Sequence, residues 1–230
     1  EMSVSDEILK RVSDSYRRLR NTQRFLLGNL DGFDPHSHLL SVSEMTALDQ
    51  WAISRACELQ NEVKNAYENY EFHHIYHKVH NFCVIEMGGF YLDVIKDRLY
   101  TTQSDGIARR SAQTAMYHIA EAMVRWLAPI LTFTAEEIWK ALPGDREDSV
   151  FLSNWYVFPD AVINENIDWE CILHVRDIVG KELERVRASG EIGSPLDAKV
   201  DLFCPPTLIE KLRVLGDELR FIFITSEAQV

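Results

Sequence analysis

The sequence predicts a mainly α-helical protein, in which an antiparallel helical bundle is followed by a small α+β unit. Three observations lead to this fold class. Four long stretches repeat apolar residues at helical spacing, and only short polar breaks separate them. Alternation of apolar and polar residues, which is typical of strands, occurs only in the last part of the chain. We therefore expect a bundle domain over residues 1–157 and an α+β domain over 158–230.

The bundle is predicted to begin with a helix from about Asp6 to Leu30. Ser3 forms a possible capping box with Asp6, and Ser5 is an alternative cap. Pro35 disfavours helical geometry just after this helix. A loop over 36–42 follows, and a second helix opens at 43 or 44 and runs to about Tyr70. The apolar side of the first helix carries Ile8, Val12, Tyr16, Leu19, Leu26 and Leu30.

Two further long helices complete the predicted bundle, one at Phe72–Leu99 and one at Ile107–Leu127. Gly88 and Gly89 lie in the middle of the third helix, where glycine weakens helical structure. We expect a kink or a close approach of another helix there. Thr134 with Glu137 resembles a capping box, so a short helix is predicted over 135–142.

The remainder of the chain has a different pattern. Residues 156–168 show no periodicity and are interpreted as a linker, and Trp169–Ala188 is predicted to be an amphipathic helix. Ala198–Cys204 and Leu219–Thr225 are predicted to be strands. The segment 207–215 between them, which Gly216 closes, is predicted to be a short helix.

Composition limits the class of protein. The chain has 230 residues, 46% of them hydrophobic, which favours a filled core. No apolar run reaches the ~20 residues of a membrane span. The four cysteines are widely separated, so we interpret them as reduced thiols of a cytoplasmic protein. Glu1 precedes Met2, and we expect the sequence to be a piece of a longer chain.

Catalytic motifs are missing from the sequence. It contains neither a glycine-rich phosphate loop nor a G-x-S-x-G nucleophile motif. His73 and His77 have the i, i+4 spacing of zinc ligands on a helix, and His74 and His80 lie beside them. His74 stands where a zinc protease would have glutamate, and no cysteine pair is nearby. We therefore expect no metal site and no catalytic residue, although a metal-dependent enzyme remains an alternative.

The first predicted helix carries a basic tract. Between Lys10 and Arg24 there are six basic residues and one acidic residue, in a chain of net charge −12. Guanidinium groups bind phosphate through paired donors, and asparagine can add hydrogen bonds to bases or ribose. A solvated, salt-bridged helix face is the alternative interpretation. The candidate nucleic-acid contacts are Arg17, Arg18, Arg20, Asn21 and Arg24.

A second basic tract flanks the predicted break between the third and fourth helices. Lys96 and Arg98 end the third helix, and Arg109 and Arg110 open the fourth. If the two helices are antiparallel neighbours, these residues lie near one end of the bundle. We include all four as candidate contacts.

Four segments together carry a family resemblance. They read YRRLRNTQRFLLGNL, FYLDVIKDRLYT, AMVRWLAPILTFTAEEIW and LGDELRFIFITS. They resemble successive stretches of the bacterial isoleucyl-tRNA synthetases, in the same order and over nearly the whole chain. The valyl, leucyl and methionyl enzymes have a similar bundle, and the KDRLYT tract favours the isoleucyl family.

The resemblance implies a class I anticodon-binding bundle followed by part of the C-terminal junction region. Its partners would be isoleucine tRNA and the catalytic and editing domains of the same chain. The family's H-I-G-H and K-M-S-K-S motifs are absent, so ATP with Mg²⁺ would be used elsewhere in the enzyme, and zinc is expected outside this region. The valyl-type enzyme and a helical protein-interaction module without RNA binding remain alternatives.

Overall fold

The computed structural model describes residues 4–159 and 167–230. The chain divides into two compact units, Glu1–Val162 and Ile163–Val230. The first is a helical bundle and the second contains helices and a small sheet, so the predicted fold class is confirmed. The bundle contains α1 (Asp6–Asn29), α2 (Pro35–His38), α3 (Ala47–Glu68), α4 (Phe72–Asn81), a π-helical segment (Phe82–Tyr91), α5 (Leu92–Thr101), α6 (Ile107–Leu127) and α7 (Thr132–Ala141), with 3-10 turns at Val42–Glu44 and Val150–Leu152.

Helix α1 begins after Ser5, whose hydroxyl accepts a hydrogen bond from the Ile8 amide at 3.3 Å. The alternative cap with Ser3 lies outside the described residues. Leu19 and Leu26 are buried, as the apolar stripe predicts. Ile8 and Val12 are 43% and 58% exposed, so the first turns of α1 do not contribute to the core.

Helix α3 starts later than predicted because a separate turn precedes it. The Glu44 carboxylate accepts hydrogen bonds from the backbone amide and the hydroxyl of Ser41, which caps the turn Val42–Glu44. The predicted loop over 36–42 also contains most of the short helix α2. Pro35 occupies the first turn of that helix, where its missing amide costs nothing.

The predicted third helix is one continuous helical rod with an irregular middle. Between α4 and α5 the backbone is π-helical, and the Leu92 amide at its end donates to the carbonyl of Met87, five residues earlier. A Cβ at Gly88 would lie 3.1 Å from the carbonyl oxygen of Cys83. The two glycines thus lie within a widened helical turn, and this π-helical segment is the irregularity found at their position.

Helix α6 is the central element of the bundle, with the bounds that the sequence predicts. It packs against α1, α3, α5 and α7. Helix α7 begins at Thr132, before the predicted position, and the Thr134–Glu137 capping box is wrong. Thr134 lies inside the helix, and its hydroxyl is 2.9 Å from that of Tyr16 on α1.

The predicted linker begins within the packed bundle. Gln60 donates from its amide to the carbonyl of Tyr156 at 2.8 Å, and the Tyr156 hydroxyl lies 2.6 Å from Nδ1 of His118. The linker interpretation is therefore wrong for Tyr156. Residues 160–166 lie outside the described residues.

The second unit differs from the prediction in its second strand, which lies at Glu227–Gln229 instead of Leu219–Thr225. The segment Leu219–Thr225 is helical over Glu218–Phe223 rather than a strand, because Leu219, Ile222 and Phe223 share one buried helical face. Packing thus overrides the strand propensity of this segment. Two short strands pair in parallel, with Lys199 opposite Glu227. This unit contains α8 (Trp169–Ala188), β1 (Lys199–Asp201), α9 (Pro206–Arg213), α10 (Glu218–Phe223) and β2 (Glu227–Gln229), with a 3-10 turn at Pro195–Asp197.

Candidate nucleic-acid interface

The basic tract of α1 forms one exposed face of the bundle. Leu19, Thr22, Gln23 and Leu26 point inward, which turns the intervening positions toward solvent. The side chains that reach solvent along this face are those of Arg17, Arg18, Arg20, Asn21 and Arg24. All five of the α1 residues that the sequence predicts as candidate contacts are therefore exposed, with Arg17, Asn21 and Arg24 on one arc of the helix and Arg18 apart from it.

The cations on this face have weak partners. Arg17 pairs with Asp14 at 2.9 Å, and Arg20 lies 3.9 Å from Glu137 of α7. Both pairs are largely exposed, and such pairs contribute about 0–1 kcal/mol. Within 4–159 and 167–230, Arg18 and Arg24 form no ion pair. These guanidinium groups can therefore turn to a phosphate at little cost.

A groove lies between α1 and α7 beside the basic face, and we call it the α1/α7 groove. Its volume is 540 Å³. The hydrogen bond between Tyr16 and Thr134 joins its two walls. The groove could not be predicted from the sequence, because no pattern within α1 indicates which helix faces it. Its lining residues are Arg20, Gln23, Arg24, Leu27, Gly28, Thr134, Glu137, Ile138 and Ala141.

Helix α7 is held in place by a partly buried charge cluster. The Glu121 carboxylate of α6 accepts hydrogen bonds from Arg125 and from Arg146, the latter at 3.0 Å. Both guanidinium groups lie 4.7 Å from the ring centre of Trp139, which is on α7. The wall of the groove that α7 supplies is thus anchored to the centre of the bundle.

The residues of the second basic tract differ in their exposure to solvent. Lys96 is exposed and pairs with Asp93 at 2.7 Å, while Arg109 is half-buried. Arg110 donates to Gln113 at 2.8 Å. Gln113 in turn donates to the carbonyl of Asn29 at 2.9 Å, so the start of α6 adjoins the end of α1.

Arg98, which the sequence suggests as a nucleic-acid contact, lies in the interior of the bundle instead. It is only 9% exposed, and its guanidinium binds both carboxylate oxygens of Asp49, at 2.9 and 3.0 Å. The Tyr91 hydroxyl donates to the same carboxylate at 2.7 Å. Burial, followed by the Asp49 charge, raises the pKa of Tyr91 well above its usual value. Arg98 is a structural residue of the interior because its donors are directed at Asp49 rather than at solvent.

Comparison with known proteins identifies the family. A family model described as the anticodon-binding domain of tRNA ligase matches residues 49–202. The chain belongs to this family. Isoleucine–tRNA ligases from Methylococcus capsulatus and Nitrosococcus oceani are each 59% identical over the whole chain, and that from Azotobacter vinelandii is 56% identical. The chain spans 25% of the length of each of these relatives.

The family match and the basic face of this anticodon-binding domain cover different parts of the chain. Helix α1 precedes the matched residues 49–202, whereas Lys96, Arg109 and Arg110 lie inside them. The isoleucine–tRNA ligases align over the whole chain, so their similarity includes α1. The resemblance stated from the sequence is confirmed by this match and these relatives.

The histidine-rich face of α4 is the remaining candidate site in this domain. The rings of His73 and His74 are 4.1 Å apart, and Tyr76 contacts His77 and His80. In the described part of the chain, no group of three or more histidine, cysteine or acidic residues is placed to hold a metal ion. Tyr76 donates to the Ser15 hydroxyl at 2.6 Å, which joins this face to α1.

No described helix is long and apolar enough to cross a membrane.

Proposed function

We propose that this chain binds the anticodon stem-loop of isoleucine tRNA. The observation that carries the proposal is the exposed basic face of α1 beside the α1/α7 groove, in a chain of net charge −12. An acidic protein that concentrates exposed arginines along one helix has a local surface suited to a polyanion. Membership of the anticodon-binding family and the names of the relatives support tRNA as that polyanion.

The residues of this face have distinct proposed tasks. Arg17, Arg20 and Arg24 bind backbone phosphates through their paired donors. Asn21 lies among them and offers one donor group and one acceptor to a base or a ribose hydroxyl. Lys96, Arg109 and Arg110 are proposed as additional phosphate contacts, and Arg18 adds a further exposed charge.

The whole protein is proposed to join isoleucine to its tRNA with ATP and Mg²⁺. This chain supplies the binding energy that fixes the tRNA, while the reacting groups belong to the catalytic domain of the same protein. Fixing the RNA in one orientation lowers the entropic cost of the later reaction. We propose that this chain contains no catalytic residue and holds no cofactor, and that zinc is bound in another part of the protein.

Filter binding of the chain to three RNAs tests the proposal. These are isoleucine tRNA, the same tRNA with its anticodon bases replaced, and a tRNA for another amino acid. We expect the tightest binding to the first and a decrease in every affinity as salt rises. Equal affinity for all three RNAs would show that the chain binds RNA without recognising the anticodon, which would contradict the proposal. No binding at low salt would contradict the proposal and favour a protein-interaction module.

A further inference from the structure

The floor of the α1/α7 groove contains a buried polar side chain without a partner. Gln23 lines the groove and is 1% exposed. Within the described residues, neither its amide oxygen nor its amide nitrogen has a hydrogen-bond partner. A buried amide in this state destabilises the folded protein, because its bonds to water are lost and not replaced.

Gln60 is a second buried glutamine of the bundle, and its amide is hydrogen-bonded. It is 3% exposed, donates to the carbonyl of Tyr156, and accepts from the indole of Trp126 at 3.0 Å. Both of its amide atoms are therefore paired. The bundle can satisfy a buried glutamine, and the unpaired state of Gln23 is a local property of the groove.

The groove also presents charges of both signs at its edge. Arg20 and Arg24 belong to one wall, and Glu137 belongs to the other. Arg20 lies 3.9 Å from Glu137, which is longer than a hydrogen bond. The guanidinium can therefore exchange this carboxylate for another anion without breaking a close contact.

We propose that the α1/α7 groove holds one unpaired nucleotide of the bound tRNA. Its phosphate lies between Arg20 and Arg24, and its base edge pairs with the amide of Gln23. A glutamine amide offers a donor beside an acceptor, which matches the edge of a base freed from its helix. The volume of 540 Å³ falls within the usual range of small-ligand pockets. This inference rests on the proposed function.

Binding would change the state of Gln23. Both amide atoms are covered in this structure, so the side chain must rotate toward the groove to reach a base. The unsatisfied amide then becomes a paired one, and part of the binding energy comes from relief of this defect. Removing the Gln23 amide should therefore raise the stability of the free chain and weaken tRNA binding. A purely structural role of Gln23 would not produce this pair of effects.

Two substitutions separate these effects. Gln23→Leu removes the unpaired amide while keeping an apolar side chain of similar volume, so we expect a higher melting temperature. We also expect isoleucine tRNA to bind about 5- to 10-fold more weakly, the effect of one lost hydrogen bond. Gln60→Leu is the matched control. It breaks two hydrogen bonds made by a buried glutamine and should lower the melting temperature.

Gly28→Leu tests the groove by filling it. Gly28 lines the groove, and a Cβ added there meets no atom within 4 Å, so the variant should fold. We expect it to weaken tRNA binding at least as much as Gln23→Leu. Replacing the anticodon bases one at a time should identify one position whose replacement no longer matters in Gln23→Leu.

The possible outcomes distinguish this inference from the proposed function. If the unmodified chain binds isoleucine tRNA but both groove variants bind it with unchanged affinity, the groove holds no nucleotide, and only this inference is overturned. If Gln23→Leu lowers both stability and affinity, Gln23 is structural and the inference is again overturned. If the unmodified chain binds no tRNA, both proposals fail.

Discussion

Arg98 and Asp49 form a bidentate ion pair in the interior of the bundle, with donor–acceptor distances of 2.9 and 3.0 Å. The pair connects α5 to α3, and the Ser111 hydroxyl donates to the same carboxylate from α6. Three helices are thus fixed to one another by a single carboxylate. A basic residue that the sequence suggests as a nucleic-acid contact instead sets the packing of the domain.

Substitution of Arg98 should destabilise the fold. Arg98→Met leaves the Asp49 carboxylate buried without its cation, and breaking such a pair costs about 3–5 kcal/mol. We expect a loss of this order in the free energy of unfolding, measured by urea denaturation. Lys96→Met, two residues earlier on the same helix and exposed, is the control and should change stability by less than about 1 kcal/mol. A small effect of Arg98→Met would show that the interior pair is not structural.

The salt dependence of tRNA binding should report contacts on α1. Each of Arg17→Gln, Arg20→Gln and Arg24→Gln removes one charge, and loss of a phosphate contact flattens the slope of log affinity against log salt by about 0.7–0.9. Asn21→Ala should weaken binding with little change in slope, because asparagine carries no charge. The measurement is filter binding over a range of salt concentrations.

An exposed arginine outside the bundle is the control for this experiment. Arg185 on α8 pairs with Glu182 at 2.8 Å, and Arg185→Gln removes a similar charge. Its slope should remain that of the unmodified chain. If the three α1 variants also keep the original slope and affinity while folded, α1 is not the RNA surface. Lys96, Arg109 and Arg110 would then be the leading candidates.

Cys83 should be protected from thiol reagents in the folded chain. It is 2% exposed, and burial raises its pKa to about 12, so almost no thiolate forms near neutral pH. Cys57, Cys171 and Cys204 are only half-buried. We expect a thiol-specific reagent to modify these three first, and Cys83 only after denaturant is added. Mapping of the modified peptides by mass spectrometry checks this order.

The stability of the bundle should fall in mild acid because of His118. Burial lowers the pKa of this imidazole from 6.5 to about 4, so between these values the unfolded chain binds a proton that the folded chain does not. Stability is therefore lost as pH falls from about 6.5 toward about 4, by up to about 3 kcal/mol. His118→Gln removes this titration. The difference in unfolding free energy between the two proteins should change across this interval and be constant above about pH 7.

The long helices could be predicted from sequence because their apolar stripes are continuous. Helices α6 and α8 have the bounds that the pattern indicates. Segment 219–225 could not be assigned correctly, since its short apolar run fits a strand and a buried helix equally well. Only tertiary packing decides between them. Helix α10 has only six residues, too few to show a repeated helical spacing of apolar residues.

The candidate site could likewise be predicted only in part from the sequence. Exposure of Arg17, Asn21 and Arg24 follows from their shared arc on one helix. The burial of Arg98 depends on Asp49, almost fifty positions earlier in the chain, and no local pattern indicates that pair. The pairing of α1 with α7 to form a groove is likewise a property of the assembled bundle.

The π-helical segment Phe82–Tyr91 has a consequence for changes in chain length. An i→i+5 turn contains one residue more than an α-helical turn, so one residue can be removed at Gly88 or Gly89 and the segment can close into ordinary α-helix. The flanking helices then keep their faces, and Arg98 still meets Asp49. In α6 the same deletion would rotate every later residue by about 100° and bring buried side chains to the surface. Among the described helices of the bundle, a one-residue deletion is therefore expected to be tolerated best in the π-helical segment.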